Sequence, residues 1–208
     1  MSKINYFLCF YNEKNIDRKR ELYYCLNEVL QNEKIDFLGI ILEEDVELEI
    51  ENEKINKFLV KARPTYNDIF NIANLASTSG DFIIIANTDI YPESRALSFI
   101  NHLRFDQCFA LSRWDIQKDG SIKHWARGDS QDVWIFRAPV RKVNANFFMG
   151  IPGCDNRLAS ELQVSGYQVT NPSSTVKFNH LHLSGVRNYD RQKGDLVPPP
   201  YLHITPTT

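Results

Sequence analysis

The run of residues 82–92 constrains the fold of this chain more than any other stretch. It opens with apolar residues that include three consecutive isoleucines, a pattern typical of a strand buried on both faces of a parallel sheet. Asn87, Thr88 and Asp89 follow at once, and Pro92 ends further ladder pairing. A carboxylate in this place lies at the carboxyl edge of the sheet, where open α/β sheets bind ligands. Asp89 is therefore either a ligand-binding residue or the cap of a helix that we expect near Pro92.

The composition indicates one globular domain. The chain has 208 residues, of which 43% are hydrophobic and 24% charged, so it can bury a core without disulfides. Its net charge of −2 argues against a nucleic-acid partner. The segment 43–53 holds seven acidic residues and no Lys or Arg. The remainder is therefore slightly basic, which suits a small anionic ligand such as a nucleotide, although a solvated acidic loop explains the imbalance equally well.

The cysteines and the hydropathy pattern indicate the cellular compartment of the protein. The four cysteines form neither a zinc pattern nor a C-x-x-C pair, so we expect free thiols in a reducing compartment. The first 30 residues lack a secretory pattern, and no apolar run approaches the length of a transmembrane helix. We therefore predict a cytoplasmic protein without a transmembrane segment, and peripheral contact with a membrane is left open.

The first half of the chain alternates strands and helices. We predict strands at 4–11, 36–42 and 58–62, and helices at 17–31 and after Thr65, which forms a capping box with Asp68. Together with the strand at 82–86, this order predicts an α/β fold whose mixed, mostly parallel central sheet is flanked by helices. The sequence contains no dinucleotide-binding fingerprint and no P-loop.

The second half alternates less regularly and predicts added antiparallel strands. We expect strands at 108–114, 132–137 and 176–178, a hairpin turn at Asp119-Gly120, and a helix after Asp155. A single domain is predicted at 1–194. The proline-rich residues 195–208 are predicted to form a C-terminal tail that is extended rather than packed.

Three polar clusters lie at the ends of predicted elements, namely Asn87-Thr88-Asp89, Asp155-Asn156 and His180-Leu181-His182. An Asp and a His from separate segments suit Mg²⁺ or Mn²⁺ on a nucleotide, held by few protein ligands and by the phosphates. The two imidazoles of His-x-His on a strand share one face, which fits chelation but also two surface histidines. Asp155 at a helix start fits a simple cap as well.

These segments together resemble the GT-A fold of nucleotide-sugar-dependent glycosyltransferases, and small glycosyltransferase-like proteins of microbes and large viruses in particular. The resemblance covers about residues 4–190 and rests on the segments 63–68, 82–90, 129–136, 150–156 and 180–184.

The resemblance implies a metal and donor site. The family's Asp-x-Asp motif falls on Asn87-Thr88-Asp89, which makes Asp89 the ligand of the metal and the diphosphate. Asn87 replaces the first Asp and would bind a ribose hydroxyl. Because Asn is a poorer metal ligand than Asp, this replacement weakens the expected metal dependence. His182, or His180 as the second choice, would complete the metal site.

The resemblance also implies residues for the acceptor and the nucleotide. Asp155 matches the general base of inverting members, and Asp132 is the second candidate. The nucleotide would meet Tyr11, Asn12 and Arg63, with Arg127, Arg157 and Arg187 as further phosphate candidates and Trp125 as a candidate for stacking on a sugar.

The implied function is transfer of a hexosyl or deoxyhexosyl group from a nucleotide-diphosphate sugar to a glycan or lipid-linked acceptor in polysaccharide biosynthesis, with Mn²⁺ or Mg²⁺. One alternative is a sugar nucleotidyltransferase, although the first strand is not followed by the glycine-rich, Arg/Lys-bearing loop that such enzymes resemble. The other is a GT-A-like module that binds sugar nucleotides or glycans without turnover, which Asn87 and the short chain favour.

Overall fold

The structure is a computed structural model that describes residues 2–186 and 196–207. Its strands are β1 Ile4–Phe10, β2 Phe37–Leu42, β3 Ile55–Leu59, β4 Phe82–Ala86, β5 Ile90–Pro92, β6 Gln107–Leu111, β7 Trp114–Ile116, β8 Ile122–His124, β9 Val133–Arg137, β10 Gln168–Thr170 and β11 Phe178–His180. Its α-helices are α1 Ile16–Gln31, α2 Tyr66–Ala76 and α3 Cys154–Val164.

The large sheet has the strand order β10-β6-β9-β4-β1-β2-β3. Only β9 runs antiparallel to its neighbours, β4 and β6, while the other pairs are parallel. The mixed, mostly parallel sheet predicted from the sequence is thereby confirmed. The carboxyl ends of the six parallel strands and the start of β9 meet at one edge.

The core lies on both faces of this sheet. Ile84 packs in the layer that contains the apolar face of α1, whereas Ile83 and Ile85 pack in the layer under α2 and α3. Successive side chains of a strand point to opposite faces, yet all three isoleucines are fully buried. The strand is therefore covered on both sides, as its apolar run predicts.

Three local predictions, namely the capping box, the hairpin and the free thiols, are confirmed. Thr65 and Asp68 form the capping box at the start of α2, and β7 pairs with β8 across the turn that contains Gly120. The four cysteines are free thiols. No helix within the described parts of the chain is long and apolar enough to cross a membrane.

The region after Asp89 differs from the prediction. No α-helix begins near Pro92 in the described chain. Ile90–Pro92 instead pairs antiparallel with β11 in a four-stranded sheet of order β5-β11-β7-β8, and two short 3₁₀ turns follow. Asp89 is therefore not a helix cap. Strands of three residues are too short to show a periodicity in the sequence.

The acidic segment is a loop, and the start of the third strand is corrected. The segment 43–53 forms no strand, and Val46 and Leu48 turn into the core beside α1. β3 begins at Ile55 rather than at residue 58, because its pairing with β2 starts at Leu38. β10 was not expected from the sequence.

The C-terminal tail is extended but packed, so the expectation that it stays unpacked is wrong. Residues 196–207 contain no helix or strand. Their amides donate to the carbonyls of Pro152 just before α3, of Asn156 in its first turn, and of Gly128 and Asn171. Val197 is buried. The boundary placed at 194/195 falls outside the described residues, so the division into domain and tail stays a prediction.

Candidate functional site

Three side chains converge at the carboxyl edge of the large sheet. Asp89 follows β4, and the pairing of Ile90 with His180 brings β11 beside it. Asp89 Oδ2 lies 3.2 Å from His180 Nε2 and 3.8 Å from His182 Nδ1. One ligand atom from each of the three residues lies within 4.8 Å of the others. The sequence treated the histidines as alternatives, whereas the structure brings both to Asp89.

The orientation of the two imidazole rings fits a divalent cation. His182 Nε2 donates to the carbonyl oxygen of Val186 at 2.7 Å, so its Nδ1 lone pair faces Asp89. The outer nitrogen of His180, Nδ1, lies 2.7 Å from Asp115 Oδ1, so Nε2 is the nitrogen that faces Asp89. One carboxylate oxygen and two imidazole nitrogens are a suitable donor set for a first-row divalent metal such as Mn²⁺.

A buried ion pair from α1 closes this side of the site. Arg18 Nη2 bonds to Asp89 Oδ2, and Arg18 Nη1 donates to Glu21 at 3.0 Å. Glu21 in turn accepts hydrogen bonds from the backbone amides of Leu183 and Ser184 at 2.7 and 2.6 Å. The segment that carries His182 is therefore tied to α1.

Sequence reasoning missed Arg18 and Glu21. The signal that could have found them is their position on α1: Arg18 precedes Leu22 and Cys25 at the spacing of one helix face. Both charged residues lie on this buried face. Charged side chains are seldom buried unless they are paired.

The neighbours of Asp89 keep its carboxylate ionised. Burial opposes its charge, but the hydrogen bonds and charges of His180 and Arg18 outweigh burial and hold the pKa of Asp89 well below its usual range. Burial likewise opposes protonation of His180, yet its bonds to Asp115 and Asp89 raise its pKa to about 9. Burial and the charge of Arg18 lower the pKa of His182, which keeps its imidazole neutral and able to bind a metal.

A second carboxylate cluster lies around Asp155. This residue is in the first turn of α3, where Gly153 is the N-cap with φ 81° and no side chain provides a capping hydrogen bond. Cys154 Sγ donates to Asp155 Oδ1 at 3.2 Å. Burial, followed by the charge of Asp132, raises the pKa of Asp155 to about 7. The residue keeps some solvent contact, although protein atoms surround its carboxyl group closely.

Asp132 is held from two sides. Arg113 Nη1 lies 3.1 Å from Asp132 Oδ2, and the Asn87 amide donates to Asp132 Oδ1 at 3.0 Å. Asn87 therefore turns toward Asp132 and not toward Asp89. Arg113 Nε also donates to Asp115 Oδ1 at 2.8 Å, so the two clusters are connected. Sequence reasoning missed Arg113 and Asp115, although Arg-x-Asp beside a strand places both side chains on one face.

The residues predicted after the first strand lie on the Asp89 side. Tyr11 is half-buried near Arg18, and burial raises the pKa of its hydroxyl. Asn12 is exposed. Both line a cavity of about 20 Å³, which has room for little more than one water. Thr88 donates its hydroxyl proton to the carbonyl of Cys9 and so fixes the loop after β4 to β1.

The predicted phosphate arginines lie apart from one another. Arg63 is exposed, donates to the carbonyl of Met149 at 2.8 Å and lies over the ring of Phe148. Exposed Arg127 pairs with half-buried Asp129. Arg187 falls outside the described residues.

The two remaining candidates, Arg157 and Trp125, contact other groups of the protein. Arg157 binds Glu161 and donates to the carbonyls of Pro198 and Pro199 in the tail. The Trp125 ring contacts the guanidinium groups of Arg113 and Arg127, at 5.3 and 5.5 Å from its centroid. Through Arg113, Trp125 is adjacent to the Asp132 cluster.

No family model matches the sequence, and a search of curated proteins found no match. Solved structures are similar in fold. S. aureus TarS 1–349 in complex with UDP-GlcNAc superimposes with a TM-score of 0.59 at 10% identity, covering 94% of this chain and 62% of TarS 1–349. A Drosophila β1,4-galactosyltransferase 7 variant bound to manganese, UDP-Gal and xylobiose gives 0.54 at 16% identity, covering 93% and 76%.

A nucleotidyltransferase-type enzyme shares the architecture. The 4-diphosphocytidyl-2C-methyl-D-erythritol synthase of Anaerococcus prevotii superimposes with a TM-score of 0.54 at 12% identity and covers 92% of both chains. The chain spans about three fifths of TarS 1–349. At these identities the likeness shows the fold, which is GT-A-like, as the resemblance implied.

Proposed function

We propose that this protein is a glycosyltransferase that moves a hexosyl or deoxyhexosyl group from a nucleotide-diphosphate sugar to a glycan or lipid-linked acceptor. The observation that carries the proposal is the convergence of Asp89, His180 and His182 at the carboxyl edge of a GT-A-like sheet. A second carboxyl, Asp155, has a pKa of about 7 and connects to this cluster through Asp132 and Arg113.

The Asp89 side is the proposed donor site. Asp89, His180 and His182 would hold a divalent cation, and two imidazoles favour Mn²⁺ over Mg²⁺, which prefers oxygen ligands. Such an ion, when bound, supplies charge neutralisation to a diphosphate leaving group. Arg18 adds a permanent positive charge next to Asp89. Asn87, Thr88, Tyr11, Asn12 and Arg63 remain proposed contacts of the nucleotide.

The Asp155 side is the proposed acceptor site. In an inverting transfer, the acceptor oxygen forms a bond to the sugar C1 while the bond from C1 to the diphosphate oxygen breaks. The hydroxyl proton passes to Asp155, whose pKa of about 7 is close to the optimum for a general base at neutral pH. Asp132 suits this task less well, because Arg113 and Asn87 occupy its oxygens.

Two similar structures hold UDP-sugars, and one of them also holds manganese, which supports a nucleotide-sugar donor. The nucleotidyltransferase alternative shares the fold, but residues 11–15, which follow β1, contain no glycine. The Asp-His-His donor set favours a metal-bearing catalytic site over a module without turnover.

The test is release of free nucleoside diphosphate from a panel of UDP-, GDP- and TDP-sugars by the purified protein with Mn²⁺ and a mixture of glycan acceptors. We expect release from at least one donor, and loss of release in Asp89→Asn and Asp155→Asn. Production of pyrophosphate from a nucleoside triphosphate and a sugar 1-phosphate would assign the nucleotidyltransferase reaction instead. Donor binding without release from any donor would support the non-catalytic module.

A further inference from the structure

We infer that Asp115 is a positioning residue that orients His180 toward a divalent cation, and that Arg113 holds Asp115 in place. The inference rests on the proposed function, because it concerns the cation site of that same centre. Neither Asp115 nor Arg113 belongs to the three residues that would contact the cation.

The two short parallel strands β7 and β11 place Asp115 beside His180. The two residues are register partners in this pairing, so their side chains leave the sheet on the same face. Asp115 Oδ1 lies 2.7 Å from His180 Nδ1. This contact is therefore built into the backbone pairing and does not depend on a flexible loop.

The chemistry of the pair selects the nitrogen that is available to a metal. An ionised carboxylate only accepts hydrogen bonds, so His180 Nδ1 donates to Asp115 while Nε2 faces Asp89 at 3.2 Å. A cation bound here would replace the proton that Nε2 shares with Asp89, and Nδ1 would keep its own. His182 is oriented from its other nitrogen by the neutral carbonyl of Val186. Only His180 thus has a charged partner behind its ring, and such a partner raises the basicity of the ligating nitrogen.

Arg113 restricts the rotation of Asp115. Its Nε donates to the same Oδ1 at 2.8 Å, and its Nη1 lies 3.1 Å from Asp132 Oδ2. The ring of Trp125 packs against the guanidinium. Asp115 therefore cannot turn away from His180 without breaking an ion pair that is itself anchored on the opposite side.

The test is the affinity for Mn²⁺ alone, measured by calorimetry on the full chain. We expect Asp115→Ala to weaken Mn²⁺ binding about 10- to 100-fold. Asp115→Asn should weaken it less, because the amide oxygen still accepts from Nδ1. Asp106→Asn is the matched control. Arg104 Nε pairs with Asp106 at 3.0 Å in the same Arg-x-Asp arrangement, but on an exposed surface. The Mn²⁺ affinity of this variant should equal the parent's.

A double-mutant cycle separates positioning from a general structural effect. In a His180→Gln background, Asp115→Ala should cause no further loss of Mn²⁺ affinity, since the ring that it orients is gone. An equal additional loss there, or parent-like affinity of Asp115→Ala, would overturn the inference.

The same data distinguish this inference from the proposed function. If the parent binds Mn²⁺ and Asp115→Ala binds it weakly, the inference holds even when no sugar donor is turned over, and only the proposed function fails. If the parent does not bind Mn²⁺ at all, the inference is wrong. Melting temperatures measured without metal show whether Asp115→Ala is unfolded. If it is, the Mn²⁺ affinity of Asp115→Asn replaces it as the test of the inference.

Discussion

Asp89 and Asp155 are the same type of residue at one edge of one sheet, yet the protein shifts their pKa values in opposite directions. Burial alone raises both pKa values. Asp89 contacts two cationic groups, Arg18 and His180, and its pKa falls. Asp155 lies near the carboxylate of Asp132, and its pKa rises to about 7. Burial thus acts on both carboxyls in the same direction, and the cationic neighbours of Asp89 account for the opposite shift of its pKa.

This difference assigns separate tasks to the two carboxyls. A permanently ionised carboxylate can bind a cation at any physiological pH, whereas a carboxyl that titrates near pH 7 can accept and return a proton. Two titratable groups whose environments separate their pKa values are a common mark of divided catalytic roles. The variants below test this division, from the largest expected effect to the smallest.

Asp89→Asn should have the largest effect. It removes one ligand of the proposed cation, which contributes several kcal/mol to catalysis, so turnover should fall about 1000-fold. It also leaves Arg18 with one fewer buried counter-charge, which should cost about 3 kcal/mol of folding stability. Nucleotide release and thermal unfolding without metal measure the two effects. Turnover above a tenth of the parent's would contradict the assignment of Asp89.

Asp155→Asn should lower turnover about 100- to 10,000-fold, because it removes the general base. Donor affinity and Mn²⁺ affinity should stay at the parent's level, since Asp155 contacts neither His180 nor Asp89. Calorimetry and nucleotide release on the same preparation give both values. Full turnover by this variant would move the base to Asp132 or elsewhere.

The parent's pH dependence should report Asp155. The value of kcat/KM should rise with pH and level off above about pH 7, where Asp155 is ionised. A pH-independent rate between pH 5 and pH 9 would remove Asp155 from the reaction.

Folding stability should depend on pH in the opposite direction to kcat/KM. Between the ordinary pKa of 3.8 and the folded value of about 7, only the unfolded chain has released the proton, so stability falls as pH rises through this window. Because Asp155 keeps some solvent contact, we expect the free energy of unfolding to fall by about 2 kcal/mol across this window, which is less than the full pKa shift would give. Asp155→Asn should flatten the curve, as measured by denaturant unfolding at several pH values. An unchanged slope would show that another group carries this dependence.

Asn87→Asp should have the smallest effect. The amide of Asn87 donates to Asp132 at 3.0 Å, so a carboxylate in its place adds a like charge beside the Asp155 cluster. The acid limb of the pH profile should move up by about one pH unit. Asn87→Ser, which adds no charge, is the control and should leave the limb in place. A downward shift in Asn87→Asp would contradict the proposed electrostatics.

Local patterns in the sequence were sufficient to predict the frame of the site. Three isoleucines predicted the strand that delivers Asp89, and Thr65 and Asp68 predicted the start of α2. Polar residues at element ends identified Asp89 and His182, with His180 as the second choice, as residues that could share a site, and the structure brings both histidines to Asp89.

The parts that the sequence did not predict depend on long-range pairing. Asp115 meets His180, 65 positions away, through strands of three residues, which leave no periodic signal. Arg18 reaches Asp89 across 71 positions. Its charge on the apolar face of α1 was the only local hint.

Binding of nucleoside diphosphates with and without Mn²⁺ tests the division between the two carboxyls most directly. Titrations of the parent, Asp89→Asn and Asp155→Asn should be compared by calorimetry under identical conditions. We predict that Mn²⁺ strengthens binding to the parent and to Asp155→Asn equally, and that this gain disappears in Asp89→Asn. An equal gain in all three proteins, or a gain lost only in Asp155→Asn, would contradict the account.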